Sequence, residues 1–342
     1  MNKKLLAIAV GAVIALPGAA LANPTVYGKV NVTLDSMETE FRADTFPGTA
    51  FPADAVDQWQ LNSNASRLGV KGEYDLEVGG LKALYQAEYE INVDDGGGAP
   101  FSQRNIFAGL KGGFGTLKAG KFDTVIKTAE GKVDQFNDLP GDMDSFVAGQ
   151  DRANNIIQYT SPKLADSVTI NVATILAEGA DVDLDANTDA EEGLFDIPQV
   201  SVVFQQGGLY AALAYAQNSA TATRTADGIT RADIMRLVAQ YKMDALEIGG
   251  LFQQTSDVAS GSDLEDTSMM ISAAFSIDRI KLKAQYGMTS GDQSDEELTM
   301  MGLGADYKLA KASKAFVYMT KVEKDSTSEE NSVFGLGLEH SF

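Results

Sequence analysis

Seven carboxylates fall within residues 122–153 of this 342-residue chain, at Asp123, Glu130, Asp134, Asp138, Asp142, Asp144 and Asp151. Carboxylates grouped in one segment can attract cations, bind a metal ion or create an electric field across a narrow aqueous space. Covalent catalysis would instead need a nucleophile beside a base. The chain has no cysteine and one histidine, His340, so the segment favours electrostatic over covalent chemistry.

A second acidic segment, 181–192, has the spacing of a calcium-binding loop, with carboxylates at loop positions 1, 3, 5, 9 and 12. Position 6 is Ala186, where the sharp turn of such a loop needs glycine, and no helical pattern flanks the segment. We therefore predict no specific metal site and no cofactor. Loose binding of divalent cations by the acidic loops is the expectation instead.

The N-terminus predicts a cleaved secretory signal peptide over residues 1–22. Lys3-Lys4 precedes the apolar run 5–16, and Ala20-Leu21-Ala22 fits a small-x-small cleavage site. A buried N-terminal helix is the alternative. The mature chain, 23–342, is then one domain without a linker.

The charge and composition exclude several classes of protein. The formal net charge is −21 at pH 7, which argues against a nucleic-acid partner because such binding needs clustered Lys and Arg. Acidity of this kind favours cations near the surface or in a lumen. The exported chain uses no disulfides, and no later segment approaches the roughly 20 apolar residues of a transmembrane helix.

Alternating polar and apolar side chains predict sixteen strands. In the clearest strand, residues 81–93, Leu, Ala, Tyr, Ile and Val face one side and polar residues face the other. This length suits a tilted membrane strand, whereas strands in soluble sandwiches are usually about 5–6 residues long. A soluble exported β-sandwich that binds a ligand is therefore the weaker alternative.

The connections between the predicted strands alternate strictly between long and short. An even number of antiparallel strands can close into a barrel and remove its edges, with all long loops on one side, the outside. We predict an all-β fold, a transmembrane antiparallel up-and-down β-barrel of 16 strands. Residues 35–57 form the first long loop, and the acidic loop, residues 122–153, is the third long loop and folds into the lumen. A solvated surface loop is the alternative for 122–153.

The last predicted strand places apolar and aromatic residues on one face, at Phe334, Leu336, Leu338, His340 and Phe342. This face suits the lipid side of a barrel and its interfacial girdle. A histidine in this position is badly placed to act as a base. An outer-membrane barrel enzyme, such as a lipase or protease, is therefore not favoured, and we predict no catalytic residue.

The sequence resembles a general porin of the Gram-negative outer membrane over the whole mature chain. The residues that carry the resemblance are Tyr27-Gly28-Lys29, Ser66-Arg67-Leu68-Gly69-Val70-Lys71-Gly72, Arg104-Asn105-Ile106-Phe107-Ala108-Gly109-Leu110-Lys111, Leu139-Pro140 and Phe342. The resemblance implies a homotrimer of sixteen-stranded barrels with loop 3 folded inward.

On matching positions, the resemblance implies a basic cluster on the barrel wall formed by Lys29, Arg67 and Arg104. The facing acids on the loop would be Asp138, Asp142 and Asp144. The segment after Pro140 departs from the enterobacterial Pro-Glu-Phe-Gly-Gly pattern, so the choice among these acids stays open.

The function expected from this resemblance is passive diffusion of small hydrophilic solutes and ions through a water-filled outer-membrane channel. Opposed charges would set a transverse field, and net acidity predicts mild cation preference. The expected partners are outer-membrane lipid, lipopolysaccharide and further copies of the chain. The alternative is a substrate-specific channel for a sugar or one ion. An aromatic ladder would support that alternative, but Phe122, Phe136 and Phe146 are irregularly spaced.

Overall fold

The computed structural model describes residues 24–40, 56–94, 99, 101–178, 193–221, 225–294, 296–325 and 329–342. These residues form one closed antiparallel sheet in which each strand pairs with its neighbours in the chain and the first pairs with the last. The predicted sixteen-stranded barrel is confirmed. The signal peptide and the segment 181–192 lie outside the described residues, so the predictions made for them stay predictions.

Seventeen strand segments make up the barrel wall. They are β1 Thr25–Glu40, β2 Val56–Ser63, β3 Arg67–Asp75, β4 Lys82–Ile91, β5 Phe101–Gly112, β6 Gly115–Asp123, β7 Arg152–Thr160, β8 Val168–Ile175, β9 Ile197–Gln206, β10 Leu209–Ala220, β11 Arg231–Met243, β12 Leu246–Asp257, β13 Glu265–Ile277, β14 Ile280–Gly291, β15 Glu297–Ala310, β16 Ser313–Lys324 and β17 Glu329–Ser341.

Two of these segments, β2 and β3, are halves of one barrel strand, since both pair with β1. The break at 64–66 contains Ala65 with a φ of 48°. Ser66 replaces the missing strand hydrogen bonds, because its buried hydroxyl accepts from the Asn31 N–H at 3.0 Å and donates to the Asn31 carbonyl at 3.1 Å. Seventeen segments therefore make sixteen barrel strands.

The first strand is longer than the alternation suggested. The predicted strand ended at residue 34, whereas β1 continues to Glu40 and β2 begins at Val56. Asp35 is buried inside the wall and accepts hydrogen bonds from Thr33 and Tyr318 at 2.7 Å each. Because these hydroxyls donate hydrogen bonds to the buried Asp35 carboxylate, the strand can continue through an acidic residue.

The barrel closes where β1 pairs with β17 over twelve residue pairs. Gly28 and Phe342 exchange two backbone hydrogen bonds of 3.0 Å, just beyond the last of these pairs. A Cβ at position 28 would collide with the Phe342 ring and lie 2.7 Å from the Arg67 carbonyl oxygen. Glycine is therefore needed for the terminal ring to cover the seam.

The two faces of the wall differ as the alternation predicts. Leu237 exposes 51% of its surface while its neighbour Arg236 exposes none. The face formed by the last strand, from Phe334 to His340, is exposed as predicted. No helix in the described ranges is long and apolar enough to cross a membrane.

The largest cluster of buried hydrophobic residues lies inside the barrel, between the acidic loop and the inner wall. The loop leaves β6 at Asp123 and returns at Arg152, with one short helix, α1 (Val125–Thr128), and a 3-10 turn, Met143–Ser145. Its apolar side chains Ile126, Val133, Met143, Phe146 and Val147 pack on buried residues of the wall. The sequence predicted that this loop folds into the lumen, but it did not reveal which apolar side chains pack on the wall.

Candidate functional site

Asp138, at the centre of the acidic loop, contacts two cations of the wall. Its Oδ2 lies 2.5 Å from the Lys29 Nζ and 3.2 Å from the Arg67 Nη2. Lys29 and Arg67 are opposite each other in the pairing of β1 with β3. Like charges in such positions repel each other, so the carboxylate between them relieves the repulsion.

The electrostatic surroundings of Asp138 favour its charged form. Burial alone would raise the pKa of this carboxyl, but Lys29 and Arg67 outweigh burial and hold the pKa below its usual range. Its φ of 66° lies in the left-handed region, which aspartate tolerates better than most residues. The turn therefore presents a charged carboxylate to the basic wall.

Arg104 lies on the same side of the lumen but pairs with acids of the wall itself. Its guanidinium contacts Glu88 at 3.1 Å and Glu90 at 2.7 Å. The register between β4 and β5 shifts at this point, so that Arg104 and Asn105 together oppose one residue of β4. Such a bulge turns consecutive side chains to one face, which explains why strict alternation left the orientation of Arg104 ambiguous.

Asp142 holds the turn that carries Asp138. One of its oxygens accepts from the Asp138 N–H at 2.8 Å, and the other accepts from the Asp144 N–H at 2.9 Å as it caps the 3-10 turn. Burial raises the pKa of Asp142, and the charges of Asp134 and Asp144 raise it further. Asp144 itself is half-buried. Of the three predicted loop acids, the structure brings Asp138 against the basic pair.

One row of wall residues forms a seat for the loop. The row runs in register across β11 to β16 and consists of Gln240, Gly249, Ser272, Gln285, Gly302 and Thr320. The Gln240 and Ser272 side chains donate to the Lys132 and Val133 carbonyls at 2.9 and 2.5 Å. Gln285 accepts from the Gln135 N–H at 2.7 Å. The row thus supplies the hydrogen bonds that residues 132–135 of the loop cannot make among themselves.

The glycines of the seat make room for loop side chains. A Cβ at Gly249 would lie 2.7 Å from Val133, and one at Gly302 would lie 2.8 Å from the Phe136 ring. In the next row, which contains Val238, Leu251, Met270, Gly287 and Met300, the Phe146 ring covers Gly287. The loop backbone can approach the wall closely because these positions have no side chain.

Arg236 joins the two ends of the loop to the wall. Its fully buried guanidinium donates to the Ile126 carbonyl at 3.0 Å, the Ala148 carbonyl at 2.7 Å and Gln253 at 2.7 Å. The alternation contained a signal for this role, since Arg236 has inward parity between Met235 and Leu237. Sequence reasoning missed it because the carbonyls that it binds carry no signature in the sequence.

Two partly buried acids of the loop add a second electrostatic feature. Burial raises the pKa of Glu130 to about 7, opposed by Arg236 and Lys127 and reinforced by Asp134 and Asp123. Burial also raises the pKa of Asp134, although its carboxylate accepts from the Phe136 and Met143 N–H groups at 2.8 and 3.0 Å.

The arrangement can orient and select charged solutes by opposed fixed charges. Within the described part of the chain, no group of three or more His, Cys, Asp or Glu residues is arranged to hold a metal ion. The alternation placed Glu88 and Glu90 on one face of their strand, but they were not assigned to the site. Both carboxylates pair with Arg104 and add negative charge to the site. Their inward parity, matched to that of Arg67, was the available signal.

Comparison with known proteins gives consistent matches. A family model described as Gram-negative porin matches residues 7–327. The chain is 24% identical over 360 residues to the major outer membrane protein P.IB of Neisseria lactamica. It is 25% identical over 353 residues to the P.IB protein of Neisseria meningitidis serogroup B / serotype 15 (strain H44/76). Each match covers 100% of both chains.

Solved structures share the fold. An anion-selective porin from Comamonas acidovorans superposes with a TM-score of 0.73 at 20% identity, over 94% of this chain and 100% of that chain. The in-vitro folded trimer form of OmpT from Vibrio cholerae has a TM-score of 0.67 at 17% identity, over 94% and 99% of the two chains.

Proposed function

Because the chain belongs to the Gram-negative porin family and is an outer-membrane porin, we propose that small hydrophilic solutes and ions diffuse passively through its lumen with a mild preference for cations. The single observation that carries this proposal is the contact of Asp138 with Lys29 and Arg67. It places a loop carboxylate and two wall cations side by side in the lumen, and the field of these fixed opposite charges orders polar solutes and slows apolar ones.

The constriction consists of the wall bases Lys29, Arg67 and Arg104 and the loop acid Asp138, with Asp142 and Asp144 behind it. Glu88 and Glu90 accompany Arg104. Lys29 contacts Asp138 and also lies 3.8 Å from Glu339. Four acids therefore face three bases, and this near balance leaves most of the ion preference to the rest of the chain, whose net charge is −21. This balance supports cation preference that is mild.

A substrate-specific channel is less well supported. The rings of Phe122, Phe136 and Phe146 are buried at 2% exposure or less, where they pack between loop and wall. They are therefore not available as an aromatic track for a sugar.

The functional unit is a homotrimer in which the apolar outer face contacts outer-membrane lipid, including lipopolysaccharide, and the neighbouring copies. The family and the trimer form of a structural relative, OmpT of Vibrio cholerae, support this assembly.

Conductance of the purified protein in a planar bilayer tests the proposal. We expect stable openings in KCl, closure in three equal steps, and a reversal potential on the cation side in a salt gradient. Absence of conductance would overturn the channel function. Single-step closure would overturn the trimer alone, and a reversal potential on the anion side would overturn the ion preference alone.

A further inference from the structure

A cavity of about 560 Å³ opens on the inner wall near the end of the barrel that holds the chain termini. Lys71, Gln86, Lys111, Thr116 and Lys118 are among the residues that line it. Lys71 pairs with Thr25, the first residue of β1, which places the cavity on the short-turn side of the constriction. It is separate from the Asp138 contact and from the seat of the acidic loop.

The charges of this cavity do not cancel. Glu73 is the one carboxylate in its lining, and it already contacts Lys111 at 2.8 Å and Lys82 at 3.6 Å. Lys71 and Lys118 have no carboxylate within ion-pair distance among the residues that the structure describes. The lining therefore holds two ammonium groups outside any direct ion pair, in a chain that is strongly acidic overall.

Aromatic rings hold both ammonium groups in place. The Lys71 Nζ lies 4.7 Å from the centre of the Tyr27 ring. The Lys118 Nζ lies 3.8 Å from the Phe122 ring and 4.9 Å from the Phe107 ring. A ring orients a cation without neutralising it and without using its N–H donors. Each ammonium can therefore still donate to an anion.

The spacing of the two lysines fits a ligand with two negative ends. Lys71, Gln86 and Phe107 face each other across β3, β4 and β5, and Lys118 reaches the Phe107 ring. The Lys71 ammonium lies over Tyr27 of β1, and the Lys118 ammonium lies between the rings of β5 and β6, so two to three strand spacings, about 10–14 Å, separate them. A four-carbon dicarboxylate with a charge-assisted hydrogen bond of about 2.8 Å at each end spans the lower part of this range. Gln86 and Thr116 add polar groups between the two ends.

We propose that this cavity, the Lys71–Lys118 cavity, binds small dicarboxylates that bridge the two ammonium groups as they pass through the pore. The proposal rests on the proposed function, because the ligand must reach the cavity through an open lumen. Cation preference of the whole pore and an anion site in it are compatible, since fixed charges act over about 8 Å at physiological ionic strength.

Current block by succinate tests the site. Succinate is added to one side of a bilayer and then to the other, in dilute KCl at pH 7, and propionate serves as the matched monoanion. We expect succinate to reduce the K⁺ current at lower concentration from one side than from the other. Propionate lacks the second carboxylate and should need about tenfold higher concentration, as for one lost charge-assisted hydrogen bond.

Substitution of the two lysines separates the site from general charge effects. K71Q/K118Q should raise the blocking concentration of succinate at least about tenfold, whereas K71R/K118R should retain the block. K163Q/K311Q removes two exposed lysines from other turns at the same end and should leave the block unchanged.

Three outcomes would overturn the site while the porin function stands: normal KCl conductance with no succinate block, equal block by propionate, or equal loss of block in K163Q/K311Q. Absence of any conductance in the wild type would instead overturn the proposed function. Migration of each folded variant in a gel before and after heating establishes that the barrel has formed, so that a change in block reports on the site.

Discussion

At the scale of single residues, one carboxylate carries the contact between loop and wall. Asp138→Asn removes its charge and leaves Lys29 and Arg67 facing each other, while asparagine tolerates the same left-handed backbone. We expect the cation-to-anion permeability ratio to fall about fivefold, which corresponds to roughly 1 kcal/mol for one charge in an aqueous setting. The reversal potential in a KCl gradient measures the ratio.

The matched control is Asp166→Asn, which removes a charge from an exposed turn residue that also has a positive φ of 58°. Its permeability ratio should equal that of the wild type. An unchanged ratio in the Asp138 variant would remove this residue from the constriction. Asp142 and Asp144 stay predictions for that role, and the hydrogen bonds of Asp142 show that its substitution would also alter the turn.

We expect attachment of the loop to depend on pH through Glu130. Burial raises its pKa from an ordinary 4.5 to about 7, and Asp134 and Asp123 oppose Arg236 and Lys127 around it. Since the folded value is the higher one, the stabilising contribution is complete below pH 4.5 and is lost as the pH rises through 7. We expect larger hydrogen-exchange protection factors for residues 125–130 at pH 5 than at pH 8.

Glu130→Gln should reduce this difference, because a neutral side chain does not titrate, while the raised pKa values of Asp134 and Asp142 leave the remainder. Glu178→Gln, in an exposed connection, should preserve it. Protection factors that rise with pH in the wild type would contradict the assignment.

At the scale of elements, the neighbouring residues Gly249 and Gly250 differ in the space around them, because only Gly249 belongs to the row of wall residues that seats the loop. Gly249→Ala places a methyl group 2.7 Å from Val133 of the loop, whereas the Cβ of Gly250→Ala meets its nearest atom at an ordinary 3.4 Å. Overpacking of this kind costs about 1–3 kcal/mol. We expect G249A to change the single-channel conductance and lower the unfolding temperature, and G250A to change neither.

Both substitutions have the same effect on the conformational entropy of the unfolded chain, so a difference between them reports on the loop. Equal behaviour of the two variants would show that the loop does not rest on this row.

Much of the wall was predictable from alternation, because strands that face lipid on one side and water on the other must alternate apolar and polar residues. The errors fall where backbone geometry departs from that period. Parity cannot reveal the bulge at Arg104, nor the break at Ser66, where a side chain takes over a backbone hydrogen bond. The attachment of the loop was also hidden, since carbonyls such as that of Ala148 carry no sequence signal.

At the scale of the whole molecule, closure of the barrel depends on the last residue. Deletion of Phe342 removes two backbone hydrogen bonds to Gly28 and the ring that covers it. We expect a loss of about 2–4 kcal/mol in the free energy of unfolding. A lower temperature for the shift from folded to unfolded migration in a gel measures this loss.

Phe342→Leu keeps the backbone hydrogen bonds and most of the apolar cover, so it should stay close to the wild type. If the deletion and the leucine variant unfolded at the same temperature, the terminal residue would have no special part in closure. The count of sixteen strands was predictable at this scale, because long and short connections alternate. The inward seat of the third loop depends instead on contacts between residues far apart in the chain.

That separation has a consequence for how the protein acquires its structure. Gln135 and Gln285 are 150 residues apart, and the seat row exists only after β11 to β16 have paired. Docking of the loop is therefore a late folding event, delayed by the entropy of bringing distant segments together. A register slip of one residue would turn the slipped strand's seat residues toward lipid. A loop without its seat would stay undocked in the lumen and open to proteases, so we expect resistance of the loop to proteolysis to report the correct register of the strands that follow it.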